Sequence, residues 1–221
     1  NYGETLGKLA GFAFYETYIL TWVLRQIPQV DDTFSSLEAT FGLSATLNPT
    51  GIAIAIGVAL LSRAFKLHDK ISNLLKIRQN FDVDNILVPL ADAVGFSPTP
   101  AQLISIKQKR HALMRAVFYK YASSRAENPL IDKHDIEHAM DSWSWFWWPV
   151  EATAFVLIAF ITAVVFWDIS LMIIFAIASI VLVIIAVGLY LGLKNLAQPQ
   201  VETIAADQAA KAAVLSEFNA L

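Results

Sequence analysis

The sequence of 221 residues contains no cysteine, and charged residues make up only 16% of it. The lack of cysteine excludes disulfides, iron–sulfur clusters, thiolate zinc sites and cysteine nucleophiles. Soluble domains average about 25% charged residues, so an ordinary soluble enzyme is not expected. The net charge of −3 provides no basic field for nucleic acid, which is therefore not an expected partner. Hydrophobic residues, at 56%, indicate an integral membrane protein instead.

Two long apolar runs near the carboxyl end, residues 145–167 and 169–193, are the clearest membrane signal. Each is long enough to cross about 30 Å of hydrocarbon as a helix, and only Asp168 separates them. They predict a helical hairpin. Two weaker runs, residues 6–27 and 50–65, predict a first hairpin. The predicted fold is an all-α integral membrane protein with four transmembrane helices, arranged as two hairpins, and an α-helical cytoplasmic insert.

The placement of lysine and arginine predicts the orientation, because cytoplasmic loops of membrane proteins are rich in both residues. Residues 63–142 hold 12 of the 16 basic residues, whereas the loop 26–49 holds none. Both termini and residues 66–142 are therefore predicted to be cytoplasmic in a multi-pass protein, with the loop outside. Only Arg25, at the outer end of the first span, opposes this orientation. The alternative for residues 6–27 is an interfacial helix that inserts only in part.

The chain is predicted to divide into four segments: a first hairpin (1–65), a cytoplasmic helical region (66–142), a second hairpin (143–193) and a cytoplasmic amphipathic tail (194–221). N-cap and proline pairs predict two helix starts, at Asn48-Pro49 and Thr99-Pro100.

Four helices are predicted outside the apolar runs or extending beyond them. One runs without a break from Pro49 to Asn80 and would project from the bilayer as a stalk. A basic helix covers 100–125, another helix begins near Asp132 and leads into the third span, and the tail forms an amphipathic helix over 201–221.

Two glutamates inside the apolar runs are candidates for an ion pathway. A carboxylate in a membrane span is costly and usually faces a bundle interior or a water-filled path. Glu16 lies in the middle of the first span and Glu151 one turn into the third. The alternatives for Glu16 are a protonated side chain bonded to a neighbouring helix, or a surface position on a half-inserted helix.

The histidines allow a test for a metal site. Residues 134–138 match H-x-x-E-H, and on a helix His134 and His138 share a face with Asp141. Such a pair binds zinc or iron if a further ligand arrives. The candidates for that ligand are His68, Asp69 and His111. The alternative is an ordinary polar helix face. No cofactor other than this metal ion is predicted.

Two further groups of residues are candidates for surface interactions. Basic side chains of the helix 100–125 could meet an anionic ligand or lipid, or could simply form a solvated face: Lys107, Lys109, Arg110 and Arg115. Tryptophans before and within the third span predict an aromatic belt at the membrane interface: Trp143, Trp145, Trp147 and Trp148.

The preferred function is an oligomeric four-span membrane protein with an ion-conducting or gating role, controlled through its cytoplasmic helices. The G-x-x-x-G pairs at Gly7/Gly11 and Gly188/Gly192 allow close helix association within or between subunits. In layout alone, the chain resembles stator-type proton channels and some bacterial four-span defence effectors. The first alternative is a non-catalytic anchoring or assembly subunit of a larger membrane complex. The second is a metal-dependent membrane enzyme using His134 and His138, although the absence of other catalytic motifs favours a protein that is not an enzyme.

Overall fold

A computed structural model describes residues 2–44, 47–123 and 129–221. Helices account for 85% of the protein, and the described residues contain no strand, which confirms the all-α prediction. Eleven α-helices follow one another along these residues: α1 (Tyr2–Leu24), α2 (Pro28–Thr40), α3 (Pro49–Phe65), α4 (Leu67–Leu75), α5 (Ile77–Asp82), α6 (Val88–Ala93), α7 (Pro100–Gln108), α8 (Arg110–Leu113), α9 (Lys133–Val165), α10 (Ile169–Ala206) and α11 (Gln208–Asn219). Two π-helical turns, Val83–Leu87 and Met114–Tyr119, connect α5 to α6 and extend α8.

Helices α9 and α10 are long and apolar enough to cross a membrane. They contain the two predicted apolar runs except Phe166 and Trp167, which lie in the turn. The Asp168 side chain caps α10 by accepting from the Leu171 amide at 2.9 Å. Trp167 ends α9 in the left-handed region, with φ of 56°. Amides of Trp167 and Asp168 bond back to Val164 and Ala163, the pattern of a Schellman motif. The predicted membrane hairpin therefore exists as two helices joined by a tight turn.

The other two predicted spans only partly meet the requirement of being long and apolar enough to cross a membrane. Among the described residues, α3 is long and apolar enough to cross a membrane only when it is joined to α4, from which it is bent by 61°. Helix α1 does not meet this criterion of length and hydropathy. The structure therefore gives two candidate spans, or three if the bent pair forms one span.

The chain divides into two compact units, and the first comprises residues 1–68 and 144–189. Helix α1 packs along α3 in this unit. Ala13 on α1 and Ala55 on α3 are fully buried, since small side chains let two helices approach closely. A second cluster joins the start of α2 to the α9–α10 hairpin. Its buried members are Ile27, Val156, Ala159, Ala163, Leu171 and Phe175.

A buried ion network lies at the end of α1. The Arg25 guanidinium donates to Asp31 at 2.6 Å, to both Glu38 oxygens at 2.9 and 3.2 Å, to Ser35 at 3.1 Å and to Asn48 at 3.1 Å. These five bonds use all of its N–H donors. The Glu38 side chain is only 1% exposed. The network fixes the end of α1, the helix α2 and the start of α3 to one another.

Asn48 links this network to the start of α3. Its side chain accepts from the Gly51 amide at 3.1 Å and donates to Thr21 Oγ1 at 3.1 Å. Asn48 adopts the left-handed region, and Pro49 occupies the first helical position. The predicted N-cap is therefore confirmed, with an added contact to α1 that the sequence did not indicate.

The second unit comprises residues 69–143 and 190–221. Its core forms where the second π-helical turn, Met114–Tyr119, and α6 pack with α11. Phe96 stacks on Phe218 with ring centroids 5.5 Å apart. The predicted capping box of α7 is confirmed, because Thr99 and Gln102 bond reciprocally. The apolar side chains Ile106, Leu113 and Val117, which recur at helical spacing, are buried in this core.

The predicted continuous stalk from Pro49 to Asn80 is wrong. The chain breaks at Lys66 and Lys76, which adopt the left-handed region with φ of 49° and 54°. The break at Lys76 removes the Arg78 amide from the helical ladder, and the Ser72 hydroxyl accepts it instead at 3.2 Å. Helical spacing of apolar residues continues across both breaks, so periodicity alone could not locate them.

Three other predicted boundaries change. Helix α10 continues through Pro199 to Ala206, so the predicted helix over 201–221 begins only at residue 208, where Asp207 caps α11. The loop 26–49, which was predicted to be external, contains the helix α2. The predicted helix 100–125 is interrupted at Lys109, and its last two residues lie outside the described part.

Two glycines of α3 provide a matched test of the α1–α3 contact. A Cβ at Gly51 would overlap Asn48 and Thr21, whereas a Cβ at Gly57 would meet no atom within 4 Å. We expect Gly51→Ala to lower the free energy of unfolding by about 1–3 kcal/mol, the usual cost of overpacking. Gly57→Ala should be neutral or stabilising by up to about 1 kcal/mol, because alanine favours helix. Thermal unfolding in detergent measures both, and equal effects would contradict the packing described here.

The ion network predicts acid sensitivity. Burial opposes ionisation of Glu38, but hydrogen bonds from Arg25 and Thr50 outweigh it and hold the pKa of Glu38 below its ordinary value. A lowered pKa in the folded state stabilises the fold above the unfolded value of 4.5, and this stabilisation is lost as the pH falls through the folded pKa. We expect Glu38→Gln to cost about 3 kcal/mol near neutral pH, because a buried cation loses its partner. The variant should also lose less stability below pH 4.5 than the parent does.

Asp31→Asn is the control, since the Asp31 side chain is 47% exposed and such pairs contribute about 1 kcal/mol or less. Thermal unfolding as a function of pH distinguishes the two variants. A Glu38→Gln protein with the stability and pH profile of the parent would exclude the proposed role of the network.

Candidate functional site

The candidate site is the pair of glutamates in the first unit. On α1, the buried residues recur at every fourth position, Leu9, Ala13, Thr17 and Thr21, which defines one face of a helix. Glu16 lies beside Thr17 at the edge of that face. On α9, Glu151 lies one turn after the buried Trp147. Helical periodicity thus places both acids on inward-facing sides of their helices.

Both carboxylates are isolated from solvent and from hydrogen-bond donors. Glu151 is 0% exposed. All four carboxylate oxygens of Glu16 and Glu151 are inaccessible and have no hydrogen-bond partner among the described residues. The Thr17 hydroxyl is likewise inaccessible to solvent and has no hydrogen-bond partner among the described residues. Buried polar groups are otherwise almost always hydrogen-bonded, so this arrangement needs a functional or chemical explanation.

The two acids lie on neighbouring parts of α1 and α9, because Phe12, one turn before Glu16, contacts Trp148, three residues before Glu151. Two negative charges in a site without donors repel, and burial makes that repulsion stronger than it is in water. A proton or a small cation bound at this pair would relieve the repulsion. The arrangement is therefore suited to binding a positively charged species rather than an anion.

Aromatic residues surround this part of α9. Trp147 is buried, and its ring lies 6.0 Å from the ring of His68. Trp145 and Trp148 both contact Phe12 of α1, with ring centroids 5.3 and 6.5 Å apart. Of the four predicted belt residues, Trp145 is exposed, Trp143 and Trp148 are partly exposed and Trp147 lies in the core. The four side chains therefore point to different sides of α9.

The predicted metal ligands are not brought together. No group of three or more histidine, aspartate or glutamate residues in the described ranges is arranged to hold a metal ion. His138 lines a cavity of about 330 Å³ with Asp132 and Asp135, and neither His134 nor Asp141 contributes to that cavity.

The four predicted anion-binding residues differ in their surroundings. Lys107, Lys109 and Arg115 are exposed, whereas Arg110 is buried. Arg110 donates to Asp82 at 2.5 Å, and its other terminal nitrogen lies 2.7 Å from His111 Nε2. A guanidinium can only donate, so His111 Nε2 accepts and the ring is neutral. Burial, together with the positive charge of Arg110, holds the pKa of His111 below its ordinary value.

Two buried acids in structural ion pairs had no sequence signal specific to them. Glu38 neutralises Arg25, and Asp82 neutralises Arg110. The lone Arg25 beside an acidic loop was a partial signal, because an unpaired cation at that position opposed the predicted orientation. Asp82 had no comparable signal, since its partner lies 28 residues away along the chain.

The profile of the YmfE protein family matches residues 1–216. The chain belongs to the YmfE protein family. No curated protein and no solved structure matches the chain significantly. The YmfE match spans both glutamates and both ion pairs, so the site described above lies within the family's common region. The name YmfE specifies no reaction, and a functional conclusion must therefore come from the chemistry of the site.

Proposed function

We propose that this YmfE-family protein is an oligomeric membrane protein with an ion-conducting or gating role, in which Glu16 and Glu151 bind and transfer a proton or small cation. The observation that carries this proposal is the pair of buried carboxylates whose oxygens have no hydrogen-bond partner in the described chain. Ionisable residues at membrane depth mark ion and proton pathways.

The two carboxylates favour a proton over a large ion. The site provides oxygen atoms and no charged donor, which suits a proton or a small hard cation. A proton bound by either acid removes one negative charge from the pair. Transfer to or from either oxygen would then move charge between α1 and α9 without moving a helix.

The proposed topology has four spans, with α1 and α3 forming the first hairpin. At about 1.5 Å per residue, α1 is about 34 Å long and α3 about 25 Å. Neutralisation of Arg25 by Glu38 and Asp31 supports placing α2 outside, because the only basic residue at that end is paired with acids. Both termini and residues 66–142 are then cytoplasmic.

The oligomeric state is supported by unused helix surface. A Cβ at Gly7, Gly11, Gly188 or Gly192 would meet no atom within 4 Å. These small-residue pairs therefore do not mediate close helix contacts within the described chain, and contacts between copies would explain their spacing.

Ion flux in proteoliposomes tests the role of the acids. We expect Glu16→Gln and Glu151→Gln each to reduce proton flux by about a hundredfold, the lower end of what a positioned proton-transfer group contributes. Glutamine keeps the size and hydrogen-bonding capacity but cannot exchange a proton. Glu137→Gln is the matched control, because that side chain is 61% exposed on the same helix α9. Unchanged flux in both site variants, with folding intact, would exclude the proposal.

Single-cysteine labelling tests the topology, since the natural chain has no competing thiol. In sealed vesicles of known orientation, we expect a membrane-impermeant maleimide to reach Asp32→Cys only from outside and Ala209→Cys only from the cytoplasmic side. Labelling of both positions from the same side would contradict the four-span arrangement.

A further inference from the structure

Helix α4 buries polar residues and exposes leucines, the reverse of a surface helix in a water-soluble protein. Its buried residues are polar, His68 and Ser72, with 4% and 3% of their surface exposed. Its most exposed apolar residues are Leu74 and Leu75, at 80% and 58%. A helix packed on a soluble protein buries its apolar stripe and directs polar groups to water. The outer face of α4 therefore exposes Leu74 and Leu75 beside the polar residues Lys70 and Asn73.

Basic residues accompany this apolar face. Residues 63–76 contain four basic residues and one acidic residue. The basic members, Arg63, Lys66, Lys70 and Lys76, are all exposed. Long basic side chains can lay their methylene groups along an apolar surface while their charges reach phosphate groups. An apolar helix face with basic flanks is typical of helices that lie in the membrane interface.

We propose that α4 is an interfacial helix that binds anionic lipid, with Leu74 and Leu75 in the boundary of the acyl chains and the neighbouring lysines on headgroup phosphates. The excess of positive charge selects an anionic lipid surface over a neutral one. If α3 is inserted in the membrane, α4 begins at the membrane surface, because it directly follows α3 along the chain. The inference rests on the proposed insertion of α3 in a membrane and does not depend on the Glu16–Glu151 pair.

The position of α4 can be measured with a fluorescent label at Leu74→Cys in the full-length, cysteine-free protein. Leu74 is exposed, so this change should leave folding intact. In nanodiscs of phosphatidylcholine with phosphatidylglycerol, we expect a bimane label at this site to be quenched by brominated lipid and shielded from aqueous iodide. A label at Ala209→Cys, on the exposed side of α11, should show the opposite pattern.

The role of charge is tested by replacing Lys66, Lys70 and Lys76 with glutamine. Each lysine near an anionic surface contributes about a fivefold factor, so the ratio of shielded to accessible label should fall by roughly that factor per replacement. In phosphatidylcholine alone, the parent and the triple variant should behave alike. The matched control replaces Lys107, Lys109 and Arg115, also exposed and basic, and should leave the Leu74 label unchanged.

Three outcomes would overturn the proposal. A Leu74 label fully accessible to iodide in every lipid mixture would show that α4 does not enter the interface. Shielding that rises with the protein-to-lipid ratio, and not with phosphatidylglycerol, would show that a second copy covers this face. An effect of phosphatidylglycerol that is lost only when Lys107, Lys109 and Arg115 are replaced would place anionic lipid binding on residues 107–115 instead of α4.

Discussion

A buried guanidinium must find an acceptor for every donor, and this requirement organises the amino-terminal half of the first unit. Arg25, which follows α1, meets it with three side chains of α2 and with Asn48 in the segment before α3, so these elements are held in one mutual arrangement. Asn48 extends the constraint to α1 through Thr21 and leaves no space for a side chain at Gly51. The face of α1 that carries Thr17 is set by this arrangement, and so is the position of Glu16 beside it.

The two kinds of buried acid in this protein follow different chemistry. Glu38 and Asp82 each lie against an arginine, so their charges are balanced and their role is structural. Glu16 and Glu151 have no donor among the described residues, and they lie on neighbouring parts of α1 and α9. A protein that needed only stability would not maintain such a pair, because an apolar residue of similar size costs less to bury. This contrast within one chain is the reason for assigning function to the second pair.

Exposed residues differ between parts of the protein in a way that suits lipid in one part and water in another. Helix α10 is apolar throughout its first 25 residues yet mostly exposed, as expected for a helix in contact with lipid. In the second unit, apolar side chains such as Ile106, Val117 and Phe218 are buried, as they are in water-soluble helical domains. Helix α4 follows neither pattern, since it carries both exposed leucines and exposed lysines. That combination matches the chemistry of the boundary between lipid and water.

The sequence by itself determined the helical class, the α9–α10 hairpin with Asp168 between its helices, and the caps at Asn48 and Thr99. Each of these depends on residues close together along the chain, which local periodicity and capping chemistry can identify. The breaks at Lys66 and Lys76, the continuation of α10 through Pro199, and the partners of Arg25 and Arg110 were decided only by tertiary structure. In those places a distant group, such as Glu38 or Asp82, supplies the hydrogen bond or charge, and its position in space is not encoded in the local pattern.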